Sequence, residues 1–267
     1  MVRMPVVAGQ FYPGEPGNLR REVNKLLGPA QEGCAALGVM APHAGYLYSG
    51  AIAGKTLGGV RFTDTLLCLG PNHHGRGHRA AVYAVGAWRT PLGELAIAEE
   101  LAGELLQSVA GLGADVQAHL PEHSLEVLMP LVQVRAPGVQ IVPICLAQAP
   151  LEGLLALGQG IGEVLQRQPA PVLMLCSSDM NHFESGEISR KKDQQALEAI
   201  LALDPEGLYR TVLKHRISMC GVVPAVVMLA AARVLGASEA RLVDYGNSGS
   251  VTGDQSSVVG YAGVVIR

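Results

Sequence analysis

An α/β fold is what this chain predicts: one domain over residues 1–267, with a mainly parallel, mixed sheet and helices on both faces. Short apolar runs such as Leu66-Leu67-Cys68-Leu69 and Val172-Leu173-Met174-Leu175-Cys176 alternate with longer amphipathic stretches, the pattern of βα units. Several of those runs end in loops carrying Pro, Gly and His. Strands of one parallel sheet aim their carboxyl ends at one rim, so such loops converge even when far apart in sequence. No linker, repeat or low-complexity tract divides the chain.

After a Gly/Pro-rich start ending at Pro13-Gly14-Glu15-Pro16-Gly17, the pattern predicts a helix over Leu19–Leu27, a strand at Gly38–Ala41 and a helix over Ala51–Leu57. A strand at Thr65–Leu69 leads into Gly70-Pro71-Asn72-His73-His74-Gly75, and Ala80–Val85 alternates as a further strand. Helices follow near Ala98–Ser108 and Ser124–Val134, with Ser124 as candidate N-cap. Strand Val139–Leu146, helix Leu151–Gln166, strand Val172–Ser177 and helix Ser189–Leu201 continue the alternation. Two helices, Pro205–Lys214 and Val222–Val234, precede strands at Arg241–Tyr245 and Ser257–Ile266, read as a terminal hairpin or edge pair.

Composition excludes several classes. Hydrophobic residues make up 49% of the chain and charged residues 16%, so it buries a core. A net charge of -3 and the lack of a Lys/Arg stripe speak against nucleic acid. No apolar stretch has the length of a membrane span, and the start lacks an apolar leader. Five cysteines, three of them inside strand-like runs, fit reduced thiols and a cytoplasmic setting. Gly75-Arg76-Gly77-His78-Arg79-Ala80 imitates a dinucleotide fingerprint, but it precedes a strand rather than opening a helix.

Histidines carry the chemistry. His43 and His73 each follow a strand and a Pro, with Gly close behind, which suits a rigid rim loop that binds a metal or moves protons. Adjacent residues on an extended loop diverge, so one of His73 and His74 faces the site while the other packs or hydrogen-bonds. Asp179 and His182 stand three residues apart after a strand, where the carboxylate can set the tautomer of an acid/base imidazole; the plainer alternative is a turn cap beside an exposed histidine. Cys220 precedes a helix N-terminus, which favours the thiolate, although taken alone such a cysteine is more often a small packed residue. Glu122 either complements a helix dipole or supports the site, and His123 either faces the rim or is structural. His78, His119 and His215 read as ordinary surface or core residues.

Taken in order, Ala41-Pro42-His43-Ala44-Gly45-Tyr46, Leu69-Gly70-Pro71-Asn72-His73-His74, Glu122-His123-Ser124, Ser177-Ser178-Asp179 with His182, and Cys220-Gly221 resemble the MEMO family, including the bacterial AmmeMemoRadiSam system protein B. That family is similar to the extradiol ring-cleaving dioxygenases, which use non-haem Fe(II). The resemblance implies a dioxygenase-like fold and one metal ion held by His43, His73 and Cys220, with His182 as acid/base and Asp179 beside it. His74, His123, Glu122 and Tyr46 would then line or support the pocket. The expected ion is Fe(II) or Cu, with Zn possible; a cysteine in the third place, softer than the dioxygenases' carboxylate, shifts preference toward copper or zinc. Three functions follow as alternatives: a non-haem-metal redox enzyme of unknown substrate; a non-catalytic protein that binds a metal, small molecule or peptide in the retained pocket; and a zinc-dependent hydrolase. The family name implies a radical-SAM pathway partner.

Overall fold

Four parallel strands form the centre of the computed structural model, which describes residues 1–29 and 31–267. They are β2 (Gly38–Ala41), β9 (Leu173–Ser177), β3 (Thr65–Pro71) and β8 (Gln140–Leu146), adjacent in that order. Nearly every residue in them is buried, as expected for strands covered on both faces. All four point their carboxyl ends to one rim, so the loops after β2, β3 and β9 are neighbours there. The expected convergence of His43, His73 and the Asp179 turn is therefore real.

Among the described residues the sheet has nine strands. Beyond β8 lie β4 (Ala80–Val82), antiparallel, and β7 (Gly113–Ala114). Beyond β2 lies β12 (Val258–Ile266), antiparallel to β2, to β10 (His182–Glu184) and to β11 (Ala240–Asn247). The β11–β12 pair is the expected terminal hairpin, but β12 is an interior strand rather than an edge. A second, three-stranded sheet of β1 (Val2–Arg3), β5 (Ala87–Thr90) and β6 (Gly93–Ala96) has no counterpart in the sequence pattern.

On one face α1 (Pro16–Leu27), α2 (Tyr46–Gly58) and α4 (Met129–Arg135) pack together, and α2 lies on β2, β11 and β12. On the other, α8 (Val222–Val234) lies on β2, β3 and β9 and packs against α5 (Leu151–Gln166) and α7 (Pro205–His215), with α3 (Glu99–Ser108) beyond α5. Met228 on α8 reaches Gly38 of β2, so one pleat of that strand serves α8 and the other α2. The α5–α8 contact is close because residue 158 is Gly: a Cβ there would sit 2.6 Å from the Val227 carbonyl oxygen.

Helix α6 (Gly186–Leu201) starts three residues earlier than its apolar period suggests, because Ser185 caps it by accepting from the Ile188 N–H. The stretch expected as one helix from Ser124 is a 3-10 turn at Glu126–Leu128 followed by α4. Ser124 caps nothing: its hydroxyl donates to the Pro71 carbonyl and fastens the segment to the end of β3. A short α9 (Gly249–Thr252) fills the loop between β11 and β12. No helix of the described residues is long and apolar enough to cross a membrane.

Candidate metal centre

His43 leaves the end of β2 only 2% exposed, so its polar atoms must be met by the protein. Its N–H donates to Asp179 Oδ1 at 2.8 Å, as does the Ala44 N–H at 3.3 Å. Its Nδ1 is 2.7 Å from Ser177 Oγ. The Ser177 hydroxyl has one proton, and it goes to the Ser124 carbonyl 2.6 Å away, which accepts only. Nδ1 of His43 therefore carries a proton and donates it to Ser177, leaving Nε2 with a free lone pair. Burial, then the neighbouring imidazoles of His73 and His123, hold His43 well below the usual histidine range, which keeps that lone pair bare.

At the end of β3 the orienting group is a carboxylate. Glu122 is 1% exposed; its Oε2 accepts from the His73 N–H at 2.7 Å and its Oε1 lies 2.9 Å from His73 Nδ1. Oε1 also accepts from the Ser124 N–H at 2.9 Å. Burial works against the charge on both partners. The Glu122 hydrogen bond and charge nevertheless raise His73, and the same contacts hold Glu122 far below the usual carboxylate range. Nδ1 of His73 is thereby committed and Nε2 is free, the arrangement in which a carboxylate orients a metal-binding imidazole. Glu122→Gln should leave the fold intact and weaken metal binding about 10–100-fold in chelator competition; unchanged affinity would remove Glu122 from the site's support.

The third imidazole is His123, which stacks on His73 at 5.1 Å between centroids and meets Phe11 edge-on at 5.0 Å. His43, His73 and His123 each offer one nitrogen, and these lie within 4.8 Å of one another. His123 thus belongs to the cluster itself. Its signal in the sequence is an acidic residue directly before it: the carboxylate that orients His73 brings its own neighbour to the rim.

Cys220 is not one of the three, although its sulfur is 3.4 Å from His43 Nε2. It stands just before α8, close against the β9 turn because residue 221 is Gly, where a Cβ would lie 2.5 Å from the Ser177 carbonyl oxygen. The Asp179 N–H donates to the sulfur at 3.2 Å. The helix-terminus effect expected from sequence is outweighed: burial, then the Asp179 charge, push the thiol well above its usual range.

Asp179 and His182 share a cavity but not a hydrogen bond. The Asp179 carboxylate ties down the His43 loop through Oδ1, whereas the His182 N–H donates to Ser218 Oγ at 2.8 Å. Nδ1 of His182 is buried without a partner among the described residues. Tyr46 is a strut at the start of α2, its hydroxyl donating to the Val127 carbonyl at 2.9 Å, and does not line the cavity. His74 is exposed, not packed as expected, and is not among the residues that line the cavity. The cavity, about 660 Å³, is lined by His43, His73, His123, Asp179 and His182 together.

Three imidazoles gathered at the rim of a single α/β sheet form a group that could hold a metal ion. Residues 3–265 match the family model described as Memo-like protein, and the chain belongs to that family. It is 40% identical to a MEMO1 family protein of Methanopyrus kandleri, covering 100% of this chain and 99% of that one. A MEMO1 family protein of Aquifex aeolicus is 41% identical over 99% of this chain and 98% of its own, and one of Methanosarcina barkeri is 38% identical over the full length of both.

Proposed function

We propose that this chain is a mononuclear transition-metal protein that acts as an oxidoreductase on a small organic molecule. The carrying observation is the convergence of three imidazoles on an open cavity, two of them with Nδ1 committed to a protein partner so that Nε2 is free. His43, His73 and His123 would hold the ion, with Cys220 as a further donor. His43 Nε2 and Cys220 Sγ, 3.4 Å apart, are close enough for both to reach one ion. A bound cation also reverses the burial effect on the thiol, because a coordinating sulfur is deprotonated. The mixed nitrogen and sulfur donor set suits iron, copper or zinc.

When bound, such an ion supplies Lewis acidity, an open position beside the cavity and, for iron or copper, electron transfer. The chain's own residues supply the rest. Ser177 and Glu122 fix two imidazole tautomers, Asp179 clamps the His43 loop, and the His182 imidazole, which lines the cavity, can take or give a proton at a ligand there.

A second thiol–imidazole pair does not compete as a reactive centre. His119 Nε2–H donates to the Ala81 carbonyl at 3.0 Å, leaving Nδ1 to face Cys145 Sγ at 3.4 Å. Both residues are fully buried; burial pushes the thiol up and the imidazole down to about 4, so the pair stays neutral.

The test is elemental analysis of natively purified protein together with its electron paramagnetic resonance spectrum. About one iron or copper ion per chain is expected. Zinc alone, with ester or amide cleavage, would replace the redox reading by the hydrolytic one, and no retained metal would overturn the proposal.

A further inference from the structure

The cavity above the imidazoles has an uneven chemistry that narrows what it accepts. Among the described residues that line it there is no Lys or Arg. Lys192, which reaches the His182 loop from α6, is already paired with Glu184 at 2.8 Å. An anionic ligand would therefore find no Lys or Arg here, and the charges of Glu122 and Asp179 offset those of the imidazoles and of a divalent ion beneath. The Asp179 carboxylate spends Oδ1 on the His43 and Ala44 N–H groups, and Oδ2 is left as an acceptor toward the cavity. Thr252 and Ser257 add hydroxyl groups.

The walls are aromatic: Phe11, Tyr48, Phe183 and Tyr261 all line the space. Phe183 is the most telling. It occupies the irregularity between His182 and Glu184 where β10 meets β12, its φ is 62°, and it is 77% exposed. A bulky residue in the left-handed region is held there at a cost, and a bulge beside a site re-aims a side chain. Here it sets an apolar ring beside the cavity that the rest of the chain leaves uncovered.

We infer that the ligand of this cavity is an organic ammonium on an aromatic or apolar body, its N–H groups directed to Asp179 Oδ2 and its body flanked by Phe183 and Tyr48. Aromatic faces attract a cation, a carboxylate oxygen accepts from it, and no Lys or Arg of the lining opposes it. This deepens the metal-site reading and rests on the same cavity, but the two fail separately when the titration uses chelator-treated protein.

Calorimetric titration at pH 7 with 2-phenylethylammonium, 2-phenylethanol and 3-phenylpropanoate compares one body with a positive, neutral and negative head. The ammonium should bind at least about tenfold more tightly than the alcohol, and the carboxylate more weakly than either. Asp179→Asn keeps an oxygen for the His43 and Ala44 N–H groups and should erase the preference for ammonium over alcohol. Phe183→Ala, at an exposed position, should weaken ammonium and alcohol alike. Carboxylate binding equal to or tighter than ammonium, no binding of any of the three, or an undiminished preference in Asp179→Asn would overturn the inference. Ammonium preference without metal uptake would sink the metal centre alone.

Discussion

Replacing His123 by Ala should lower metal affinity by at least about 100-fold, more than the 10–100-fold that an orienting partner typically contributes. Two ligand sets compete. The family resemblance puts Cys220 beside His43 and His73, whereas the geometry puts a third imidazole within 4.8 Å of the other two and the sulfur 3.4 Å from His43 alone. If the three imidazoles are the primary ligands, His123→Ala loses the ion and Cys220→Ser keeps most of it while changing its spectrum. Retention of wild-type affinity in His123→Ala, with loss in Cys220→Ser, would decide for the resemblance. Folding does not confound this comparison. The His123 ring is partly exposed and held by stacking on His73 and an edge contact with Phe11, so metal-free melting should move little.

What the sequence revealed and what it hid follow the range of the contacts. The four central strands were legible because a strand buried on both faces is a continuous apolar run, and β2, β3 and β9 ended close to where their Pro, Gly and Ser residues suggested. The Asp179–His182 spacing suggested a local pair. In the fold the turn sends Asp179 to a backbone 136 residues away, and His182 finds Ser218. Neither β1 nor β10 is long enough to show a period: each exists because a distant strand accepts it, β5 for the one and β12 for the other. His123 was ambiguous for the same reason. Nothing within a few residues of it shows that Glu122 is buried under His73.

The segment that carries Glu122 and His123 is fastened by the third residue of the chain, so Glu126→Ala should cost about 3–5 kcal/mol, the range for leaving one partner of a buried ion pair uncompensated. Arg3 and Glu126 are 1% exposed, and Arg3 Nη1 lies 2.7 Å from Glu126 Oε2. Glu126 further accepts from the Val6 and Val7 N–H groups and from the Tyr12 hydroxyl at 2.7 Å. Arg3 lies over the Trp88 ring at 4.4 Å and donates to the carbonyls of His119 and Glu122. Removing the carboxylate strands a guanidinium and three N–H or O–H donors at once. For a chain of this size the loss should appear as a fall in melting temperature on the order of 10 °C. Arg3→Met combined with Glu126→Met should recover much of it, since an apolar pair of similar volume leaves no buried charge unmet. The remaining loss would come from the Val6, Val7 and Tyr12 donors. Because the same guanidinium holds the carbonyls of residues 119 and 122, Arg3→Met alone should loosen the Glu122–His123 rim and weaken metal binding as well as stability. A variant that melts as the wild type and retains its metal would show that β1 is an ornament of the fold rather than the strap of its site.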